Sequence, residues 1–201
     1  MNHLAHFLLA PGDDEARMGT LLGDFVRGTD LTAWPAAVES AIRLHRRVDS
    51  ITDTHPALAL PKSLAAPHLR RYAGILLDVF FDHMLIAQWP RWSATPLDAY
   101  CAGIYASLAR TAPRMPPPAR ALALRMGEHD ILQTCATRAG VSRVLARIAT
   151  RLSRPVALAE GIQLLDAHYA ELETAFEVLL PVLRDTAAAW PAAPAHDLLR
   201  L

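Results

Sequence analysis

Residues 72–89 read YAGILLDVFFDHMLIAQW, and this stretch decides the fold. Apolar residues occupy every face of a helix drawn through it, as expected for a helix that is buried on all sides at the centre of a core. Two acidic residues and a histidine interrupt its interior, namely Asp78, Asp82 and His83. Asp78 and Asp82 lie one turn apart, so their carboxylates share a stripe and repel each other unless a cation lies between them.

Pro and Gly divide the rest of the chain into helix-sized segments, and no alternating strand pattern lies between these segments. We therefore expect an all-α protein, a compact single-domain helical bundle over residues 1–201 with a poorly ordered tail from about residue 185. The expected helices are 14–27, 35–53, about 69–88, 96–110, 118–137, 141–153 and 155–183.

The charge and composition of the chain argue against several classes of function. The 20 Lys and Arg residues balance the 20 Asp and Glu residues, which argues against a polyelectrolyte partner such as duplex DNA. No apolar run reaches the length of a membrane span, and the first residues lack the cationic lead and cleavage site of a secretory signal. We expect a cytoplasmic protein that binds neither nucleic acid nor membranes.

The second informative stretch is LHRRVDSITDTHP at residues 44–56, within the helix expected at 35–53. On a helical wheel His45, Asp49 and Thr52 fall on the apolar face, Asp53 lies at its edge, and Glu39 lies on the opposite side. A buried Asp49 needs a cation, hydrogen-bond donors or a metal as partner. The alternative is a buried ion pair that only fixes helix packing.

Together the two helices supply nitrogen and oxygen ligands without a thiolate. Such a set suits a divalent ion of the manganese, magnesium or iron type better than a structural zinc site. A metal site of this kind can polarise a phosphoryl oxygen and activate water, so hydrolysis is the expected chemistry. The metal-ligating residues expected from these two helices are His45, Asp49, Asp53, Asp78, Asp82 and His83.

Two N-terminal segments fit the same interpretation. In MGTLLGDFVRG, residues 18–28, Asp24 is a further ligand or a base, and Arg27 is a phosphate contact, unless the two form a surface ion pair. Gly19 and Gly23 are one turn apart and would let another backbone come close. In MNHLAHFLLA, residues 1–10, His6 is either a core residue or a neighbour of the metal ligands.

The segments MNHLAHFLLA, GTLLGDFVRG, HRRVDSITDTHP and ILLDVFFDHMLIAQW resemble, in order and spacing, the motifs of the bacterial acyl carrier protein phosphodiesterases. Together they cover roughly residues 1–90. The resemblance implies an all-helical fold related to the HD-type metal phosphohydrolases and a dependence on manganese. It also implies hydrolysis of the phosphodiester that joins phosphopantetheine to a serine of holo acyl carrier protein.

The resemblance also implies roles for individual residues. Asp24, Arg27 and Arg46 become candidate catalytic residues, and His6, Thr20 and Asp53 become candidate neighbours of the metal. Thr20 stands where an Asn is expected, and the DH order at residues 82–83 is the reverse of an HD pair. The candidate metal ligands are Asp24, His45, Asp49, Asp78, Asp82 and His83.

A cationic helix face offers a candidate docking surface for an acidic carrier protein. Arg143, Arg147 and Arg151 follow one another at helical spacing in VSRVLARIATRLSR, although a solvated outer face would have the same pattern. Two rival functions remain open at this point. One is a metal phosphohydrolase acting on a small nucleotide, and the other is a non-catalytic helical interaction module.

Overall fold

The computed structural model describes residues 3–191, and this part of the chain contains helices and no β-strand. The all-α prediction is therefore confirmed. The α-helices are α1 His3–Leu9, α2 Asp14–Leu22, α3 Ala36–Thr54, α4 Ala59–Leu64, α5 Ala73–Ala87, α6 Trp89–Trp92, α7 Leu97–Thr111, α8 Pro117–Glu128, α9 Arg138–Ala149, α10 Ile162–Ala167 and α11 Tyr169–Ala188. Short 3₁₀ turns occupy Pro56–Leu58, Arg70–Tyr72, Ala112–Arg114, Ile131–Ala136 and Leu158–Gly161.

Helix α5 is the central helix of the fold. It packs against α1, α4, α9 and α11, and residues such as Leu76, Phe80, Phe81 and Met84 are fully buried. This is the position that its uniformly apolar sequence predicts. The helices of the described chain share one hydrophobic core around it.

Several helices end earlier than the sequence predicts, at a turn or at a residue with a non-helical backbone conformation. Helix α2 ends at Leu22 rather than Arg27, because the next N–H groups bond to carbonyls three or four residues back in a closing turn. The segment 118–137 divides at Asp130, whose φ of 46° is left-handed. The segment 155–183 divides at His168, between α10 and α11.

The C-terminal end of the described chain is ordered further than expected. Helix α11 continues to Ala188, and Trp190 donates its indole N–H to the carbonyl of Ser40 at 3.2 Å. Ser40 in turn donates its hydroxyl to the carbonyl of Pro191 at 2.6 Å. The chain thus has defined contacts past residue 185, where the predicted tail begins, and residues 192–201 lie outside the described chain.

Glu39 was expected on the outer face of its helix, but the structure buries it. Its carboxylate accepts hydrogen bonds from two nitrogens of Arg43, at 2.7 and 2.8 Å, so the guanidinium covers the charge. None of the helices within residues 3–191 combines the length and the apolar character that a membrane span requires.

Helices α2 and α3 are in close contact because Gly19 has no side chain. A Cβ added at Gly19 would lie 2.5 Å from the carbonyl oxygen of Val38 and 2.7 Å from the Cβ of Ala41. Helix α3 carries His45 and Asp49, and Asp24 follows the end of α2, so the spacing of the two helices matters for function. The predicted close approach at Gly19 is confirmed.

Replacing Gly19 with Ala should lower the free energy of unfolding by about 1–3 kcal/mol, because the new methyl group must push the two backbones apart. Gly103 in α7 is the matched control, since a Cβ there has nothing within 4 Å. Gly103→Ala should be neutral or raise stability by about 1 kcal/mol through helix propensity. Urea unfolding of both variants tests this, and equal stability of the two would contradict it.

Candidate metal centre

Helix α1 brings two histidines, His3 and His6, to the side of the protein where α2 and α3 meet. Its first turn is fixed by the buried carboxylate of Asp82, which accepts the backbone N–H groups of Leu4 and Ala5 at 3.1 Å each. Its last turn is fixed by Tyr100, whose hydroxyl donates to the carbonyl of Phe7 at 2.8 Å. Contacts at both ends therefore set the position of the histidines.

Helix α3 supplies His45 and Asp49 one turn apart, and their side chains meet those of α1. The rings of His6 and His45 stack with centroids 3.8 Å apart and planes 8° from parallel. Room for the His45 ring comes from Gly23, where an added Cβ would lie 2.3 Å from the ring. The sequence predicted another backbone at Gly23, but the neighbour there is a side chain of the site.

Four side chains converge here, His6, His45, Asp49 and Asp24, and we call them the histidine–aspartate cluster. The Nε2 atom of His6 lies 3.0 Å from Asp49, and the Nε2 atom of His45 lies 3.2 Å from the other oxygen of that carboxylate. Asp24 lies 3.4 Å from His45 Nε2. His3 extends the cluster, with Nδ1 3.6 Å from Asp24.

Electrostatics in the cluster keep the two carboxylates ionised. Burial disfavours the charge of both carboxylates, but their hydrogen bonds and charge interactions with the histidines have the larger effect. The pKa of Asp24 is held below its usual range mainly by His45, and the pKa of Asp49 is held below its usual range by His45 and His6. Burial also disfavours charge on His45, yet the two carboxylates raise its pKa to about 9. Burial lowers the pKa of His6 to about 4, so this ring is neutral at pH 7.

The donor set fits a divalent cation. Donor atoms of His6, His45 and Asp49 can be chosen so that all lie within 4.8 Å of one another. Ligands about 2.1 Å from one octahedral ion are about 3.0 Å apart, close to the observed nitrogen–oxygen separations. Side-chain exposure is 43% for Asp49 and 45% for Asp24, so solvent reaches the site while the two imidazoles are buried. Two imidazoles and carboxylates suit manganese, iron or zinc.

The other candidate ligands lie outside this group. Both carboxylate oxygens of Asp82 accept backbone N–H groups of α1, and His83 contacts the carbonyl oxygen of Cys135 through Nδ1 at 2.7 Å. Burial raises the pKa of Asp78, and the negative charges of Asp49 and Asp53 add to that rise. Within residues 3–191 no second group of three metal-ligating side chains occurs. A ligand role for Asp78, Asp82 and His83 stays a prediction.

The candidate catalytic arginines and the candidate neighbours of the metal have varied surroundings. Arg46 donates to the carbonyls of Val26 and Gly28, at 2.7 Å each, and so holds the segment after Asp24 in place. Arg27 is exposed. Their phosphate contacts stay predictions.

The Thr20 hydroxyl donates to the carbonyl of Ala16 at 2.8 Å within its own helix. Asp53 is exposed, and its carbonyl accepts from Lys62 at 2.8 Å.

The two histidines of α1 carried weak sequence signals. His6 was expected only as a neighbour of the metal, and His3 was not a candidate, although both stand one turn apart on the apolar segment of residues 1–10. That spacing was the available signal. Its strength was low because a histidine on an apolar helix is more often a core residue than a ligand.

Comparison with known proteins identifies a family whose model matches this sequence. The family model described as acyl carrier protein phosphodiesterase matches residues 1–183. The chain belongs to this family. Three similar relatives carry the name acyl carrier protein phosphodiesterase, and they come from Enterobacter sp. (strain 638), Photorhabdus laumondii and Salmonella dublin. The identities are 36%, 33% and 36%, covering 90%, 93% and 94% of this chain and 94%, 95% and 98% of the relatives.

The acyl carrier protein phosphodiesterase match extends well beyond the motifs within residues 1–90, to the middle of α11. It therefore includes every member of the histidine–aspartate cluster and also α9 with its arginines. No solved structure matches the chain significantly, so the relation to HD-type phosphohydrolases stays a prediction.

Metal binding to this family member should release a proton. Below pH 9 His45 is protonated in the metal-free protein, and its Nε2 must lose that proton to bind an ion. Manganese affinity should therefore rise about tenfold per pH unit between pH 6.5 and 8.5. Calorimetric titration in buffers of different ionisation enthalpy measures the released proton. Affinity independent of pH would contradict the assignment of His45.

Proposed function

We propose that this protein hydrolyses the phosphodiester between phosphopantetheine and a serine of holo acyl carrier protein, releasing apo acyl carrier protein and 4'-phosphopantetheine. The observation that carries the proposal is that the histidine–aspartate cluster lies inside the region matched by the acyl carrier protein phosphodiesterase family. The relatives' shared name supports the substrate. We place the reaction in the cytoplasm, where we expect the carrier protein.

We further propose that His6, His45 and Asp49 hold a divalent ion, most simply manganese, with Asp24 at its edge. A divalent ion bound there lowers the pKa of water and offsets negative charge on phosphoryl oxygens. The depressed pKa of Asp49 keeps its carboxylate available at neutral pH, and because His6 is already neutral it can bind an ion with no net loss of a proton. A role for Asp78 as an additional oxygen ligand remains part of the proposal.

Asp24 has the position of a residue that handles protons. Its carboxylate is exposed to a similar extent as that of Asp49, it is ionised at neutral pH, and it lies 3.6 Å from His3 and 3.4 Å from His45. An ionised carboxylate at this edge can orient an attacking water and accept its proton at a carboxylate oxygen. The exposed guanidinium of Arg27, three residues later, is available to bind a phosphate oxygen.

The test is incubation of the purified protein with holo acyl carrier protein and manganese, followed by intact mass measurement. The carrier protein should lose the mass of its phosphopantetheinyl group, and chelation should prevent the loss. Asp49→Asn is the variant control and should leave the carrier intact. Hydrolysis of small nucleotides with an intact carrier protein would favour a nucleotide phosphohydrolase, and a protein that binds no metal would favour an interaction module.

A further inference from the structure

A groove begins beside the histidine–aspartate cluster and runs along α9, opposite α8 and the 3₁₀ turn Ile131–Ala136. The part next to the cluster is lined by residues including His3, Leu122, Leu132, Ile148 and Arg151. The far part is lined by residues including His129, Thr134 and Arg143. Ile131, Val144 and Arg147 line both parts, so the groove is continuous. We call it the α9 groove.

The near end of the α9 groove opens at the edge of the cluster. His3 lines this end, and its Nδ1 lies 3.6 Å from Asp24. Arg151 lines the same end, in the turn that follows α9, and Arg147 and Arg143 follow toward the far end at intervals of one turn. A molecule whose phosphate lies at the cluster could therefore extend into the groove.

The groove combines an apolar floor with an open row of cations. Its floor contains aliphatic side chains such as Leu132, Val144 and Ile148. Arg143 and Arg147 are exposed, and their guanidiniums have no hydrogen bond or ion pair among the described residues. Unpaired donors above an apolar floor suit a flexible ligand with methyl and methylene groups interrupted by carbonyl oxygens.

We propose that the α9 groove binds the phosphopantetheine arm of the carrier protein and that Arg147 and Val144 determine specificity for it. This inference rests on the proposed function. The arm starts at a phosphate and continues through a dimethyl group and two amides to a thiol. The dimethyl and methylene groups match the aliphatic floor, and the amide carbonyls match the arginine N–H donors. The phosphodiester end then lies near Arg151 and Asp24, and the thiol points toward the far end.

Binding of the phosphopantetheine arm explains the position of the arginines along an apolar groove better than docking of an acidic protein surface does. A docking face for an acidic protein needs cations but no apolar floor. Here Arg143 and Arg147 line a cavity whose floor is aliphatic and whose near end reaches the cluster. The sequence predicted Arg143, Arg147 and Arg151 as a docking surface, and the arm proposal places the same residues against the part of the substrate that reacts.

Disulfide tethering tests the proposal without relying on hydrolysis. The variants are Val144→Cys in the groove and Ala146→Cys, which is exposed on the same helix and lines neither part of the groove. Each full-length variant, kept metal-free with chelator, is mixed with holo acyl carrier protein whose thiol carries a 2-pyridylthio group. The introduced thiolate attacks the sulfur of the arm, forms the mixed disulfide, and expels pyridine-2-thione, which absorbance measures.

The native cysteines leave a low background in this experiment. Cys101 and Cys135 are buried, and burial raises the pKa of both thiols, that of Cys101 to about 12. The wild type should therefore react slowly. We expect Val144→Cys to react at least tenfold faster than Ala146→Cys, and an excess of S-methyl phosphopantetheine, a thioether that cannot exchange with thiols, to remove the difference. Equal rates for the two variants would overturn the proposal, as would an advantage that S-methyl phosphopantetheine leaves untouched but apo carrier protein removes.

A second measurement separates this inference from the proposed function. Val144→Trp should fill the groove and raise the KM for holo acyl carrier protein at least tenfold, with a smaller change in kcat. Ala146→Trp should match the wild type in KM. Selective tethering by Val144→Cys, together with a wild type that does not cleave the carrier protein, would contradict the proposed function alone. Normal cleavage by a folded Val144→Trp variant would sink the groove assignment alone.

Discussion

Replacing His45 with Gln should abolish stoichiometric manganese binding and reduce turnover of holo acyl carrier protein by about a hundredfold or more. His45 lies within hydrogen-bonding distance of Asp49 and close to Asp24, so its Nε2 atom is the centre of the cluster. Glutamine removes the nitrogen donor and also the positive charge that balances the carboxylates in the metal-free protein. Metal content by mass spectrometry and turnover by intact mass of the carrier measure the two effects.

The matched control is His68→Gln. His68 is an exposed histidine that pairs with Glu160 at 3.1 Å on another part of the surface, so losing it should change neither manganese content nor turnover. A His45→Gln protein that keeps a full complement of manganese would show that the ion binds elsewhere. In that event His83, the remaining histidine candidate from the sequence, becomes the first residue to replace.

The second large effect is expected for Asp82→Asn. The sequence predicted that Asp82 is a metal ligand. In the structure both of its carboxylate oxygens accept hydrogen bonds from backbone N–H groups in the first turn of α1. An amide can accept at only one of its two atoms, so one buried N–H loses its partner. We expect the metal-free protein to lose about 1–3 kcal/mol of stability. Manganese affinity should fall as well, because α1 carries His6.

Tyr100→Phe is the companion variant. It removes the hydroxyl that donates to the carbonyl of Phe7 at the other end of α1 and touches no predicted ligand. Both variants should weaken manganese binding by displacing His6, and calorimetric titration measures this after urea unfolding in chelator has given each stability. An Asp82→Asn protein with wild-type stability in chelator and no manganese binding would restore Asp82 as a ligand.

The central helix and the close approach at Gly19 could be predicted because their signals are local. Residues 72–89 are apolar on every face, and Gly19 and Gly23 leave gaps that α3 fills. Helix ends were less predictable. The end of α2 at Leu22 depends on hydrogen bonds in the closing turn. The break between α8 and the following 3₁₀ turn depends on the left-handed conformation of Asp130, which the sequence would have predicted only if a Gly stood there.

The candidate site could be predicted in part. His45 and Asp49 stand out because polar residues on the apolar face of α3 need partners, and the structure brings them together with Asp24. The partner of Asp82 could not be found this way, because the backbone N–H groups of Leu4 and Ala5 carry no sequence signal. A buried carboxylate looks the same in sequence whether it binds a cation or caps a helix.

The anchoring of α1 has a consequence for how long an ion stays bound. A seven-residue helix is too short to persist alone in water, so α1 keeps its shape only while it is docked. Each local undocking event separates His6 from His45 and Asp49 and opens the coordination shell. Ion residence time is then governed by the opening frequency of this segment, which amide hydrogen exchange at Leu4 and Ala5 reports directly.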